Sequence, residues 1–264
     1  MDLKLSGKSA LVSGSTAGIG FAIAQALAQE GASVIVNGRS EERVTKAIAK
    51  IKQSTPDAKV SGVVADAGTA SGLEELFQKV PHVDILINNV GMYEPKAFFD
   101  ITDEDWLKIF EVNVLSGVRL SRQYLQKQLK QNWGRIIFIS SESGIQIPVE
   151  MIHYGTTKTA QLAIARGLAE MTVGTGVTVN SVLPGPTRSE GVEDFITKLA
   201  QKNGITPADV EAEFFQNIRP SSLIKRFATN EEVAAIVVYL SSPVASATNG
   251  AALRVDGGVI RSIV

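Results

Sequence analysis

Tyr154 stands four residues before Lys158 in the stretch MIHYGTTK, and Ser141 lies 13 residues before the tyrosine. A tyrosine serves as an acid or base only when tuned: its free pKa is about 10, and bringing it near 7 takes roughly 4 kcal/mol of preference for the phenolate. On a helix, Lys158 falls on the same face one turn along and supplies a positive charge. At a spacing of two it would point away and leave the phenol at its solution value. Such a group suits proton exchange at a carbonyl or alcohol oxygen while a hydride moves at carbon, which requires a bound hydride carrier.

A place for that carrier is legible near the N-terminus. SGSTAGIG spaces Gly14, Gly18 and Gly20 between a predicted strand and a predicted helix. Gly14 permits a sharp turn, Gly18 a close approach of backbone to a pyrophosphate, and the N–H groups from about Ile19 onward face the anion; Ser15 and Thr16 lie within the turn. The second strand ends in Asn37-Gly38-Arg39-Ser40. No carboxylate there would repel a 2′-phosphate, and Arg39 can pair with one, so NADP(H) is expected over NAD(H).

The elements that must position these residues alternate. Runs at 9–14, 32–38, 59–66, 83–89, 134–141 and 177–185 read as strands, with a last strand in AALRVDGG; helices fall at 21–31, 41–53, 70–79, about 103–130 and 153–171, with a final helix in TNEEVAAIVVYL. This is the pattern of a parallel sheet with helices on both faces. Residues 186–226 break the rhythm with two short helices, one presenting Val192, Phe195, Ile196 and Leu199 on one face and one capped by Thr206 before Pro207. They are expected to form a lid or pocket wall, since ligand crevices open at the carboxyl ends of the strands.

Composition narrows the class. The 264 residues, 44% of them apolar, suit one α/β domain over 1–264; Lys+Arg total 26 against 27 Asp+Glu, with no charge blocks, and no nucleic-acid or anionic-membrane partner is expected. There are no cysteines, and His82 and His153 lie far apart, so no metal site is expected. No apolar run reaches the ~18 residues of a membrane span, and no basic start followed by an apolar stretch opens the chain, so a cytoplasmic location is expected.

The order and spacing of these motifs over about residues 5–260 resemble the short-chain dehydrogenase/reductase family, in its compact single-domain branch. Its T-G-x-x-x-G-x-G turn appears here with Ser13 for threonine, and its N-N-A-G as Asn88-Asn89-Val90-Gly91. The resemblance implies a Rossmann fold: a doubly wound parallel sheet of about seven strands with helices on both faces. It implies Tyr154 as general acid/base, Ser141 as oxygen-binding donor, and Lys158 as partner of the tyrosine and of the nicotinamide ribose. Asn113 would hold a water that passes protons to Lys158. Asp66 would cap the adenine amino group, Asn89 and Gly91 would border the cofactor, Pro184-Gly185 would close over the nicotinamide, and Thr187 would bond its carboxamide.

The activity so implied is a reversible NADP(H)-dependent carbonyl reductase acting on a small carbonyl or alcohol substrate. Met92, Tyr93, Ile145, Ile147, Met151 and lid residues such as Phe195 or Phe214 suggest that the substrate has an apolar part. A 3-oxoacyl carrier-protein reductase is the nearest alternative, although Gln131-Asn132 and Thr175 stand where such enzymes place basic residues; Lys127, Lys130 and Arg135 lie close by. A non-catalytic nucleotide sensor or scaffold is the alternative of another class. The resemblance also implies a homotetramer or homodimer built through the two long helices.

Overall fold

The computed structural model describes residues 2–263; of these, the side chains of Glu190 and Phe195 lie outside what is described. Seven strands form one sheet: β1 (Ser9–Val12), β2 (Ser33–Gly38), β3 (Val60–Val64), β4 (Ile85–Asn88), β5 (Gly134–Ile139), β6 (Val177–Pro184) and β7 (Ala252–Val255). Their order is β3-β2-β1-β4-β5-β6-β7, every pair parallel. The chain winds outward from β1 in one direction and from β4 in the other. The crevice between the carboxyl ends of β1 and β4 is therefore the switch point at which such sheets bind ligands.

β4, β5 and β6 are buried along their whole length, as strands covered on both faces must be. Helices α1 (Gly18–Gln29), α2 (Glu41–Ser54) and α9 (Asn230–Ser241) pack on one face around Ile23, Leu27, Ile51 and Val237. Helices α3 (Ala70–Lys79), α5 (Ser116–Lys130) and α6 (Ile152–Glu170) cover the other around Leu76, Tyr124 and Phe138. The anticipated stripe Ile23, Ala24, Leu27, Ala28 is buried, and Gly31, at φ 87°, follows the end of α1.

The helix expected at about 103–130 is interrupted. It comprises α4 (Asp103–Phe110), a π-helical turn over Glu111–Leu115, and then α5. The widened turn carries Asn113. Thr102 and Asp105 form a complete reciprocal capping box at the start of α4, so the shorter acid performs as glutamate does.

Helices α7 (Glu190–Asn203) and α8 (Pro207–Glu213) form the interruption after β6, with Thr206 capping and Pro207 at the first position as expected. They share a core of their own with Ile196, Ala200, Val210, Phe215 and Phe227.

Candidate active site

The carboxyl end of β1 is held by serine and asparagine side chains. The Ser13 hydroxyl donates to the Ile87 carbonyl (3.1 Å) and accepts from the N–H groups of Asn89 (2.9 Å) and Val90 (3.1 Å), tying β1 to the loop after β4. The Asn89 amide donates to the carbonyls of Ser13 (2.9 Å) and Gly14 (3.0 Å). Asn37, fully buried, accepts from the Gly14 N–H (3.2 Å) and donates to Val63 and Ala65 in β3 and just beyond it. The Ser15 hydroxyl also turns inward, onto the Val12 carbonyl (2.7 Å). Ser15 and Asn89 thus spend their side chains on the turn, and the Ser15 N–H is itself bonded to the Asn37 carbonyl (2.9 Å).

Gly14 (φ 63°) and Gly18 (φ 56°) adopt the left-handed conformation that favours glycine, and a Cβ at Gly20 would lie 2.5 Å from the Gly14 oxygen. Val90, where the resemblance expects alanine, packs on this turn: a Cβ at Gly14 would meet its Cγ2 at 3.0 Å. The ladder of α1 begins with Phe21 N–H on the Ala17 carbonyl, so the N–H groups of Gly18, Ile19 and Gly20 precede it, and Ala17 caps none of them. An uncapped helix start behind a glycine turn suits a dinucleotide pyrophosphate.

Around this turn stand the other expected cofactor residues. Thr16 packs against Gly38, and Arg39 is exposed at the end of β2. Asp66 accepts from the Gly68 N–H (3.0 Å) through one carboxylate oxygen. Gly185 follows β6 and abuts the Asp256 backbone so closely that a Cβ would meet it at 2.6 Å. Thr187 bonds the Gly185 carbonyl (2.9 Å) and pairs with Ala228.

The proton-handling residues converge beside this crevice. Ser141, after β5, heads a turn in which its hydroxyl accepts from the Ser143 N–H (3.1 Å). That turn lies directly on α6: Ser140 donates to the Lys158 carbonyl (2.8 Å) and Thr159 to the Gly144 carbonyl (2.7 Å), while a Cβ at Gly155 would collide with Ile147 and the Ser143 carbonyl. Glycine at 155 therefore lets the Ser141 turn close onto α6 beside Tyr154.

Against the lowering expected from Lys158, burial pushes Tyr154 up to about 12, opposed by the nearby Ser141 hydroxyl and reinforced by the carboxylate of Glu142. Lys158 Nζ lies 5.6 Å from the Tyr154 ring centre and is itself brought down to about 8 by burial. Asn113 joins the set through its side chain, accepting from the Met92 N–H (2.7 Å) and donating to the Met92 carbonyl (2.9 Å) and to Thr157 (3.0 Å). Asn113, Ser141, Tyr154 and Lys158 thus form one cluster, bordered by Gly91: a Cβ there would lie 3.5 Å from Asn113 Oδ1 and 3.6 Å from Lys158 Nζ.

Tyr93 stacks edge-on with Tyr154 at 6.2 Å and is exposed at the mouth, as are Ile145 and Ile147; the side chain of Phe195, expected beside them, lies outside the described residues. Phe214 packs instead on Phe215 and Phe227, which assigns it to the core of the α7–α8 segment. His153, beside the tyrosine, is buried edge-on against Trp106 at 5.9 Å, and burial lowers its pKa. Among the described residues, no group of three or more His, Asp or Glu is placed to hold a metal ion.

Sequence reading left unassigned an ion pair that closes one wall. Arg219, at the end of the α7–α8 segment, donates to Glu142 (3.1 Å) and to Glu150 (3.4 Å), and Ser143 donates to the other Glu142 oxygen (2.8 Å). Glu142 is only 4% exposed, and burial raises its pKa although Arg219 opposes this. The partners lie 77 positions apart, beyond any local pattern.

A model of the short chain dehydrogenase family matches residues 8–200. YvaG of Bacillus subtilis (strain 168), an uncharacterized oxidoreductase, is 51% identical over 263 residues, with the whole of both chains covered. The 3-oxoacyl-[acyl-carrier-protein] reductase FabG of Aquifex aeolicus is 35% identical over 98% of this chain and 100% of its own. Among solved structures, L-sorbose reductase from Gluconobacter frateurii, complexed with NADPH and L-sorbose, superposes with a TM-score of 0.92 at 30% identity over the full length of both chains. The chain belongs to the short-chain dehydrogenase/reductase family and is an oxidoreductase acting on CH–OH and C=O groups.

Proposed function

We propose that the protein transfers a hydride between NADP(H) and a small carbonyl compound or its secondary alcohol, with Tyr154 as general acid/base. The observation that carries this reading is the convergence of Ser141, Tyr154, Lys158 and Asn113 at the edge of a glycine-lined crevice. When bound, the nicotinamide supplies or accepts the hydride. Gly14, Gly18, Ile19 and Gly20 would hold its pyrophosphate, Asp66 the adenine, Lys158 the ribose hydroxyls, and Pro184, Gly185 and Thr187 the nicotinamide end. Ser141 and Tyr154 would hold the substrate oxygen between them. In reduction Tyr154 gives its proton to that oxygen as charge develops there, and in oxidation it takes the proton back.

The preference for the phosphorylated cofactor rests on Arg39, exposed where an acidic residue would otherwise select NAD(H), and on Asn37, whose amide is buried under the glycine turn. The L-sorbose reductase with which this chain superposes was solved with NADPH, in keeping with that reading. Tyr93, Ile145 and Ile147 at the mouth favour a substrate with an apolar part. Residues 186–226 would close over it as a lid.

Reduction of a carrier-bound 3-oxoacyl group is less supported. Arg135, one of the basic residues near the expected docking place, is buried, stacked on Trp133, and committed to the carbonyls of Gly134, Gly176 and Ser242.

The test is NADPH oxidation across ketones, aldehydes, ketoses, quinones and 3-oxoacyl thioesters, with NADH in parallel. Turnover of at least one carbonyl class is expected, together with its loss in Tyr154→Phe while NADPH affinity stays nearly unchanged. Tight NADPH binding without turnover of any substrate would favour the sensor alternative, and full activity in Tyr154→Phe would remove the tyrosine from the mechanism.

A further inference from the structure

The Lys158 ammonium is almost fully buried, and no carboxylate among the described residues pairs with it. It donates to the Ile139 carbonyl at 2.9 Å and to the Gln161 side-chain oxygen at 3.4 Å. Among the described residues its third proton has no hydrogen-bond partner, and Nζ faces the Tyr154 ring and Gly91. Gln161, 2% exposed, uses the other end of its amide to donate to the main-chain carbonyl of Asn113 at 2.6 Å. That carbonyl lies in the π-helical turn, where the helical ladder is displaced. One neutral side chain thus bridges the widened helix and the buried ammonium.

We propose that Gln161 is a positioning residue for Lys158: by joining the Asn113 carbonyl to the ammonium it fixes two of the three Lys158 protons, together with Ile139, and aims the third at Tyr154 and the cofactor ribose. The inference rests on the hydride-transfer reading for its catalytic consequence, and on geometry alone for the Gln161–Lys158 contact. A glutamine is suited to the place because both contacts must be met at once, a donor toward the carbonyl and an acceptor toward the ammonium. A hydrocarbon would leave a buried ammonium proton and a buried carbonyl unpaired. A carboxylate would hold the ammonium but, when ionised, could not donate to Asn113.

The groups that face Lys158 are Tyr154 on its own helix, Asn113 from the π-turn, Ile139 at the end of β5 and Gly91 after β4. Glu142 and Tyr93 act on Tyr154. A change in Lys158 titration on altering position 161 is therefore attributable to that contact.

The test uses two variants of nearly equal volume, Gln161→Met and Gln161→Glu. Lys158 is titrated by NMR of its side chain in the cofactor-free protein, its signal assigned by loss in Lys158→Met. Relative to the parent, Gln161→Met is expected to lower the Lys158 pKa by about one unit and Gln161→Glu to raise it. A purely packing role would not move the two in opposite directions. In turnover, Gln161→Met is expected to lower kcat about tenfold, with the carbonyl KM within about twofold of the parent, as for loss of a contact that matters in the transition state. Should the methionine variant fail to fold, the glutamate variant decides alone. Folded variants in which Lys158 titrates as in the parent would overturn the proposal. Absence of turnover in the parent would overturn the hydride-transfer reading and leave the NMR result to judge the contact.

Discussion

Tyr154 and Lys158 are each held away from their solution behaviour by burial, and in opposite directions. The phenol is pushed up to about 12 and the ammonium down to about 8. A raised phenol pKa favours the acid form, so carbonyl reduction, which needs a proton donor, is not limited by Tyr154 at neutral pH. On the proposed reading it would depend instead on the Lys158 charge, and its rate is expected to hold through neutrality and to fall as pH rises past about 8. Alcohol oxidation needs the phenolate and is expected to climb over that range. Initial-rate pH profiles in both directions check this, and parallel profiles would refute it. Arg39 sets the other residue-level expectation. An Arg–phosphate contact is worth about 1.5–3 kcal/mol, so Arg39→Ala should reduce the NADPH/NADH ratio of kcat/KM by roughly tenfold to 150-fold. An unchanged ratio would end the phosphate role. The residues behind both expectations were legible because chemistry at fixed spacing leaves a local trace. Gln161 was not: its two contacts reach the Asn113 carbonyl 48 positions away and a lysine that only burial makes demanding.

At the scale of elements, hydrophobic alternation located every strand and the helices between them, because each had an apolar face to bury against one sheet. The π-turn at Glu111–Leu115 escaped that reading. Its apolar positions continue the stripe of a plain helix, and the extra residue per turn shows only in three dimensions. The docking of the α7–α8 segment escaped it too, since Arg219 meets Glu142 and Glu150 across the cleft. Removing one partner of a buried pair typically costs about 3–5 kcal/mol, because the other charge is stranded. Arg219→Met is therefore expected to lower the melting temperature and to expose residues 186–226 to proteolysis, with Glu142→Gln in the same chain restoring part of the loss. The sign with pH follows from Glu142, whose carboxyl pKa is already raised by burial. With the arginine gone it binds its proton more readily, so the defect should shrink as pH falls and the group becomes neutral. A variant as stable and as protease-resistant as the parent would show that the pair does not anchor the segment.

For the whole molecule, the exposed apolar surface makes association between copies the interaction to examine. The surface offers a specific place for it. A shallow cavity of about 340 Å³ runs between α5 and α6, lined by Val118, Leu125, Leu129, Ile164, Leu168 and Met171 with Arg122 and Gln126 at its margin. Met171 and Val173 continue the apolar surface past the end of α6, and Leu107 and Phe110 on α4 add a second exposed group. Contiguous apolar surface rimmed by polar residues marks interfaces more often than free surface. These are also the two long helices through which the family resemblance implies a dimer or tetramer. Amphipathic patterning indicated that α5 and α6 each bury one face on the sheet, yet it could not reveal that their outer edges leave an apolar furrow between them. The protein is expected to run as a dimer or tetramer in size-exclusion chromatography with light scattering. Ile164→Glu with Leu168→Glu should yield a smaller species, because two carboxylates would have to be desolvated for the furrow to be covered. Tyr154 and Lys158 lie on the amino-terminal half of α6, away from the furrow, so NADPH binding by that smaller species would show that the site is complete within one chain. A parent protein that is already monomeric, or a charged variant of undiminished size, would place the interface elsewhere or remove it.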